Sequence, residues 1–167
     1  SPRVRGMADH GTEVNEMTER IRCPALLARL KTADEAAALI GPGDTVAMSG
    51  FTGAGYPKAV PGALAKRIEA AHAAGQEFQV RVLTGASTAP ELDGALARAQ
   101  GMELRLPYQS DPTVRAQINA GEMDYLDIHL SHVAQHAWFG FFGDIDVAVI
   151  EVAGILEDGR LVPSSSV

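Results

Sequence analysis

The sequence predicts an α/β fold with a mostly parallel sheet and helices on both faces. Three observations support this fold class. Helix and strand patterns alternate as α, β, α, β, α, β from Thr32 to Leu106, which is typical of a parallel sheet covered by helices. The first strand, over 44–48, has the character of a buried strand. A glycine-rich turn, Gly50 to Pro57, follows that strand directly, as in many ligand-binding α/β domains.

The composition favours a single compact domain that acts on small molecules. The chain has 167 residues, of which 46% are hydrophobic, enough to bury one core. The net charge is −7 and the 14 basic residues are scattered, which disfavours nucleic-acid or anionic-membrane partners. We expect a cytoplasmic protein, because Cys23 is the lone cysteine and the sequence has neither a secretory signal nor a membrane-length apolar run. Residues 1–16 are expected to be a leader or expression remnant, and 17–167 the domain.

Capping and stop signals define the first elements. Thr32 and Glu35 have capping-box spacing, and Gly41–Gly43 would end the helix that follows. Pro61 suits the first turn of the next helix. The elements predicted in chain order are a helix from Thr32 to Ile40, a strand over 44–48, a helix from Pro61 to Gly75, a strand over 78–83, a helix over 89–100 and a strand over 102–106.

The remaining elements are predicted from the same kinds of signal. Asp111 caps a helix that holds Pro112 in its first turn and ends near Gly121. The stretch 123–143 is expected to give a short extended piece and a helical turn or two around Val133. The elements predicted after it are a strand over 145–152 and a hairpin that turns on Asp158-Gly159. Because the sequence ends directly after a strand and a run of serines, we expect it to be a truncated piece of a larger protein.

The turn at Gly50, Gly53 and Gly55 is the first candidate site. Glycines let a backbone approach a ligand closely, and the carboxyl ends of strands in an open α/β sheet face the binding crevice. A carboxylate, a phosphate or a thioester oxyanion would fit such a turn. The spacing Gly-x-x-Gly-x-Gly differs from the dinucleotide fingerprint, and no lysine follows a glycine as in a P-loop, which disfavours a nicotinamide or nucleoside-triphosphate site. The alternative is that these glycines only make a tight turn.

Two further segments carry hydroxyl groups after strands. Thr84-Gly85-Ala86-Ser87-Thr88 follows the second strand, and Ser164-Ser165-Ser166 follows the last. We expect both to converge on the crevice beside the glycine turn. Each segment could instead be a helix N-cap or a solvated turn.

The segment Gly50 to Lys58, followed by Thr84 to Thr88, resembles the N-terminal domain of the acetyl-CoA hydrolase/transferase family. The resemblance extends from Met17 to Val162-Pro163. It implies the α/β fold that CoA-transferases share with phosphosugar isomerases. In that family the Gly-x-Gly-x-Pro element helps to shape the acyl and oxyanion pocket. The substrate-binding candidates are therefore Gly53, Ala54, Gly55, Tyr56, Pro57, Thr84, Gly85, Ala86, Ser87 and Thr88.

The resemblance also implies a reaction. A glutamate of a second domain would attack an acyl-CoA, and CoA would pass to an acceptor carboxylate such as acetate or succinate. The implied partners are acyl-CoA, short carboxylic acids, the missing C-terminal domain and a second copy in a homodimer. Coenzyme A enters as substrate, and no cofactor, metal or catalytic residue is expected in this segment.

Two motifs could be mistaken for catalytic sites, and two other functions stay open. Glu157-Asp158-Gly159 fits the family's Glu-x-Gly nucleophile pattern, but we expect a solvated hairpin tip. His129, His132 and His136 would share a helical face, yet no carboxylate or cysteine completes a metal site. The alternatives are a phosphosugar isomerase-like domain and a binding module without chemistry.

Overall fold

A computed structural model describes residues 18–165 and divides them into two compact units. The larger unit holds Lys31–Glu151 and Ser165, and the smaller one holds residues 18–30 and Val152–Ser164. The expected leader, 1–16, lies outside the described residues, so the predicted domain bounds stay a prediction. Within residues 18–165, no helix combines the length and apolar character needed to cross a membrane.

The larger unit contains most of the helices and strands. Its helices are α2 (Ala33–Ala37), α3 (Ala59–Ala73), α4 (Ala95–Arg98), α5 (Pro112–Ala120) and α6 (Leu130–Trp138), and its strands are β1 (Thr45–Met48), β2 (Val80–Leu83), β3 (Met102–Leu106), β4 (Asp124–Tyr125) and β5 (Val147–Val149). The smaller unit contains α1 (Pro24–Leu27), β6 (Val152–Ile155) and β7 (Leu161–Pro163).

Strands β1 to β5 form one sheet in the order β4-β3-β2-β1-β5, and every neighbouring pair is parallel. The predicted parallel α/β sheet is therefore confirmed. From β1 to β4 the chain moves in one direction across the sheet, and it then returns past β1 to form β5. Because crossovers between parallel strands are right-handed, α3, α4 and α5 lie on one face and α6 on the other. The strand order reverses between β1 and β5, which is where open α/β sheets bind ligands.

Each face of the sheet has its own apolar core, because side chains alternate along a strand. The larger core contains Val46, Val82, Leu64 and Ile68, all fully buried. The opposite face buries a smaller cluster that includes Leu83, Leu106 and Phe142, with Val133 and Ala137 of α6 packed against it. Helices therefore pack on both faces of the sheet, as predicted, and each face has a separate core.

Several local predictions are confirmed at their caps. The Thr32 hydroxyl accepts a hydrogen bond from the Glu35 amide, and the Glu35 carboxylate accepts one from the Thr32 amide, which completes the capping box. Asp111 accepts from the amides of the first turn of α5, which ends at Gly121 with φ 72°. The left-handed conformation of Gly121 costs little because glycine has no Cβ.

Three predicted elements differ from those observed. The helix over 89–100 is a π-helical turn, Pro90–Gly94, that continues into the short α4. The capped helix ends at Ala37, before the predicted Ile40. The strand over 145–152 is divided, since β5 ends at Val149 and β6 begins at Val152. β6 pairs with β7 in another sheet and another unit, and nothing within the segment 145–152 predicts that change of partner.

The smaller unit is built on the predicted hairpin. β6 and β7 pair antiparallel, and Gly159 occupies the turn with φ 84°. The Leu156 amide donates to the Arg160 carbonyl at 2.9 Å and closes the turn. Glu157 is exposed at this tip, as predicted.

Candidate functional site

Four loops follow the carboxyl ends of β1, β2, β3 and β5, and hydrogen bonds link them in one series. The loops are the glycine turn (Gly50–Lys58), the hydroxyl turn (Thr84–Thr88), the β3 loop (Pro107–Ser110) and Ile150–Glu151. Because the sheet is parallel, all four lie at the same edge. The reversal of strand order between β1 and β5 makes this edge the expected binding crevice.

The glycine turn is tightly folded against the neighbouring loop. The amide of Phe51 donates to the Ala54 carbonyl at 3.0 Å, and the Ala54 amide donates back to Phe51 at the same distance. Gly50 has φ 131°, and a Cβ there would lie 2.7 Å from the Tyr56 side chain and 3.0 Å from that of Thr88. Only glycine fits this position, because both its backbone conformation and its surroundings exclude a side chain.

The glycine turn and the hydroxyl turn are joined by two backbone hydrogen bonds. The Gly85 amide donates to the Gly50 carbonyl at 3.2 Å, and the Thr52 amide donates to the Ser87 carbonyl at 2.8 Å. Thr52 itself has φ 46°, a left-handed conformation that is uncommon for threonine. The structure therefore brings together the two segments that sequence reasoning had paired only by their positions after strands.

The β3 loop adds contacts that were not predicted. Ser110 donates to the Ser87 hydroxyl oxygen through its amide at 3.1 Å and through its own hydroxyl at 2.8 Å. Gln109 is 5% exposed, and its side-chain nitrogen donates to the Tyr108 carbonyl at 3.0 Å. The Gln109 Oε1 atom is buried and has no hydrogen-bond partner among residues 18–165. The site thus contains an unused buried acceptor beside Ser110.

Ser49 and Lys58 connect the glycine turn to Glu151, two residues after the end of β5. The Ser49 hydroxyl donates to the Gly55 carbonyl at 2.6 Å and accepts from the Glu151 amide at 2.9 Å. The Lys58 ammonium forms an ion pair with the Glu151 carboxylate, which raises the pKa of Lys58. The same ammonium lies 4.2 Å from the centre of the Tyr56 ring. The crevice therefore carries charges of both signs, and the Lys58 ammonium is already paired with the Glu151 carboxylate.

Tyr56 is buried within the glycine turn, and its hydroxyl donates to the Glu91 carboxylate at 3.2 Å. Burial, followed by this hydrogen bond, raises the pKa of the Tyr56 phenol. The phenol is neutral at physiological pH, since tyrosine ordinarily titrates near pH 10. Tyr56 therefore acts as a buried wall of the turn and as a hydrogen-bond donor.

Several backbone N–H groups of the two turns have no protein acceptor in the described part of the chain. They belong to Gly55, Ala86 and Ser87, all of them buried residues. The 15-residue helix α3 also begins directly after the glycine turn without a side-chain N-cap. Free amides and a helix N-terminus both attract negative charge. The edge of the sheet can thus accept an anionic oxygen.

Sequence reasoning identified ten residues of the two turns and missed the side chains that fix them. The missed residues are Ser49, Glu91, Ser110 and Glu151, whereas Lys58 was named only as the last residue of the glycine-rich segment. No sequence motif marks the others, because their roles depend on the order of strands in the sheet.

The other predicted segments lie elsewhere. His129, His132 and His136 lie along α6 with ring centroids 5.7 and 5.8 Å apart, and the His129 side chain caps that helix by accepting from the Ser131 amide. The contribution of Ser164–Ser166 stays a prediction, since Ser166 lies outside the described residues.

The chain matches the family model described as the acetyl-CoA hydrolase/transferase N-terminal domain over residues 14–167. It is 48% identical over 136 residues to propanoyl-CoA:succinate CoA transferase of Escherichia coli K12, covering 81% of this chain and 28% of that protein. It is 44% identical over 149 residues to succinyl-CoA:acetate CoA-transferase of Clostridium kluyveri, covering 89% and 27% of the two chains. An acetyl-CoA hydrolase of Yarrowia lipolytica is 36% identical over 160 residues, covering 90% of this chain and 30% of that protein.

The crystal structure of RipA from Yersinia pestis superposes with a TM-score of 0.47 at 19% identity, covering 74% of this chain and 27% of that one. The chain spans under a third of each of these three curated relatives, between 27% and 30% of their length. The match of the family model over residues 14–167 shows that the chain belongs to the acetyl-CoA hydrolase/transferase family, in which it corresponds to the N-terminal domain.

Proposed function

We propose that this chain forms one wall of the acyl and oxyanion pocket in an enzyme that moves CoA between short acyl-CoA thioesters and carboxylic acids such as acetate and succinate. Family membership supports the reaction class, since the relatives are named CoA-transferases and acetyl-CoA hydrolases. Membership leaves open whether transfer or hydrolysis dominates. The coupled turns at the edge of the sheet support the role of this segment.

The proposed chemistry needs a nucleophile, which we assign to a part of the protein outside this chain. A glutamate carboxylate from another part of the protein attacks the thioester carbonyl carbon, and the C–S bond breaks. The CoA thiolate departs, and an acyl-glutamyl anhydride remains. The thiolate then attacks the glutamyl carbonyl, which frees the acyl group as a carboxylate and leaves a glutamyl-CoA thioester. An acceptor carboxylate takes the CoA by the reverse steps. Each attack places negative charge on a carbonyl oxygen.

The two turns are suited to bind that charge. The bonds between Thr52 and Ser87 and between Gly85 and Gly50 hold the turns together, while the amides of Gly55, Ala86 and Ser87 stay unpaired in the described structure. Preorganised donors of this kind are effective because they need no reorganisation during the reaction, and loss of one oxyanion donor typically costs about 100-fold to 1,000-fold in kcat. This pairing of turns is the observation that carries the proposal.

Gly53 and Gly43 provide a matched pair for the test. Gly53 has φ 84° and Gly43 has φ 83°, and a Cβ on either would meet nothing within 4 Å. Alanine therefore introduces the same backbone strain at both, on the order of 1 kcal/mol. Gly53 lies in the glycine turn, whereas Gly43 precedes β1 at the opposite edge of the sheet.

The experiment measures CoA transfer from a short acyl-CoA to acetate or succinate by the full-length gene product. Gly53→Ala is expected to lower kcat/KM by about tenfold or more, because a side chain would enter space that the acyl group uses, while Gly43→Ala stays close to wild type. Equal activities for the two variants would show that the glycine turn does not form part of the pocket. Absence of transfer or hydrolysis in the wild type, with thermal protection by a sugar phosphate and none by acyl-CoA, would replace the proposed reaction by the isomerase-like alternative.

A further inference from the structure

A buried ion pair lies directly beneath the hydroxyl turn. Arg105 of β3 and Asp93 of the π-helical turn are both 0% exposed, and the Arg105 Nε atom donates to the Asp93 carboxylate at 2.8 Å. Burial of two charges is costly, and replacement of such a pair by apolar residues is often neutral or stabilising. The pair is therefore poorly explained by fold stability alone.

Most hydrogen bonds of the pair are made to the hydroxyl turn. The Arg105 Nη2 atom donates to the Thr84 hydroxyl at 2.8 Å and lies 3.4 Å from the Ala86 carbonyl, and its Nη1 atom donates to the Leu106 carbonyl. The second oxygen of Asp93 accepts from the Thr88 amide at 2.6 Å and from the Thr88 hydroxyl at 2.8 Å. Both ends of the turn and its middle are thus held by one buried pair.

The fork of the guanidinium explains why an arginine occupies this position. It presents several N–H donors in a fixed plane, whereas the ammonium of lysine is a flexible point charge. Arg105 uses three nitrogens on four different acceptors, two of which belong to the turn. A lysine could keep the charge but could not hold the same set of contacts.

We propose that Arg105 and Asp93 are positioning residues that set the geometry of the Thr84–Thr88 turn and, through it, of the glycine turn. The path is direct, because the Ser87 carbonyl of the held turn accepts from the Thr52 amide and the Gly85 amide donates to Gly50. Neither charged side chain is exposed, so both act through the turn and not on a ligand. This inference rests on the proposed function only for its activity readout.

Three variants of the full-length gene product test the proposal. Arg105→Lys keeps the charge, and the double variant Arg105→Met with Asp93→Leu replaces the pair by apolar side chains, so that the core still folds. Val114→Ala serves as the control. Val114 lies on α5, is fully buried in the larger core and belongs to neither turn, so its substitution destabilises the domain without touching the turns. The thermal unfolding midpoint of each variant is measured, and activity and exchange are compared at the same interval below that midpoint.

Arg105→Lys and the double variant are expected to lower kcat by about 10-fold to 100-fold, as displacements of about 1 Å in an active site do, with a KM within about threefold of wild type. Hydrogen exchange at the Thr52 and Thr88 amides is expected to accelerate in both. Val114→Ala is expected to change neither quantity. A folded double variant with wild-type kcat, or with unchanged protection of both amides, would overturn the proposal.

Exchange also separates this proposal from the proposed function. If the wild type transfers no CoA, the proposed function fails while faster exchange in the Arg105 variants still supports positioning. If the wild type is active and the variants match it, the positioning proposal alone fails.

Discussion

The Gly85 amide donates to the Gly50 carbonyl at 3.2 Å, and the two residues are so close that a Cβ on Gly85 would lie 2.8 Å from that carbonyl oxygen. Real Cβ atoms do not come so near a backbone oxygen. The contact between the glycine turn and the hydroxyl turn therefore depends on the missing side chain.

Gly85→Ala should push the two turns apart. We expect a loss of about 1–3 kcal/mol in the free energy of unfolding, the usual range for overpacking of a tight site, and a lower kcat in the full-length protein. Gly62→Ala is the matched control, since Gly62 lies within α3 and a Cβ there meets nothing within 4 Å. That change should stabilise the protein by about 0.5–1 kcal/mol because alanine is the better helix former. Urea unfolding of both variants measures the difference, and a stable, fully active Gly85→Ala would contradict the geometry.

Ser49→Ala should loosen the connection between the end of β1 and Glu151, two residues after the end of β5. The Ser49 hydroxyl satisfies the Gly55 carbonyl and the Glu151 amide together. Its removal leaves two partly buried backbone groups without that partner, and we expect a cost of about 1–3 kcal/mol in the free energy of unfolding. Ser49→Thr keeps the hydroxyl and should recover most of the loss. Denaturant unfolding of the two variants, compared with wild type, decides the matter, and equal stabilities for Ala and Thr would show that the bridge contributes nothing.

The parts of the fold that follow from local chemistry could be predicted. The capping box at Thr32 and Glu35, the Asp111 cap and the stop at Gly121 each depend on residues a few positions apart, so the sequence contains the whole signal. The segment 145–152 contains no such local signal for its division, because the choice between continuing β5 and starting β6 depends on pairing partners far away in the chain.

The candidate site was predictable only in its backbone. The glycines between residues 50 and 55 and the small residues of the hydroxyl turn announce close backbone approach. The burial of Arg105 could not be predicted in this way. A charged residue within Met102–Leu106 is expected to be solvated, and Arg105 is 0% exposed only because Asp93 packs against it. Tertiary pairing of charges is not encoded in local periodicity.

Tyr56→Phe should make the protein less sensitive to alkaline pH. Burial and the hydrogen bond to Glu91 raise the pKa of Tyr56 above its ordinary value of 10.0. A group whose pKa is raised in the folded state contributes stability below its unfolded pKa and loses that contribution as pH rises through the folded pKa. Phenylalanine does not titrate, so the alkaline decline in the free energy of unfolding should become shallower.

The measurement is urea unfolding of wild type and Tyr56→Phe at neutral pH and above the ordinary tyrosine pKa. At neutral pH the variant should lose about 1 kcal/mol with the hydrogen bond to Glu91. Tyr125, whose pKa is also raised, keeps its alkaline contribution in both proteins. Lys58 loses a part of its own in the variant, because the charge of Tyr56 helps to raise the pKa of Lys58, although the ion pair with Glu151 remains the main cause. Parallel pH curves for the two proteins would show that Tyr56 titrates as it does in the unfolded chain.

Ser87→Ala should lower the kcat/KM of the full-length gene product more than Ser110→Ala. The Ser87 oxygen accepts twice from Ser110, through the amide and the hydroxyl. With both lone pairs engaged, the Ser87 hydroxyl proton is directed away from Ser110 and, among residues 18–165, it has no acceptor. It is thus available to donate to a ligand oxygen, in a turn whose own amides are also free.

Loss of a hydrogen bond to a developing negative charge typically costs about 1.5–3 kcal/mol, which corresponds to roughly 10-fold to 100-fold in kcat/KM. We expect Ser87→Ala to fall in that range. Ser110→Ala removes only a donor to Ser87 and keeps its own amide bond, so its effect should stay within a few-fold. If Ser110→Ala proved as damaging as Ser87→Ala, the two hydroxyls would matter only as a structural pair, because neither would then have a separate role toward the ligand.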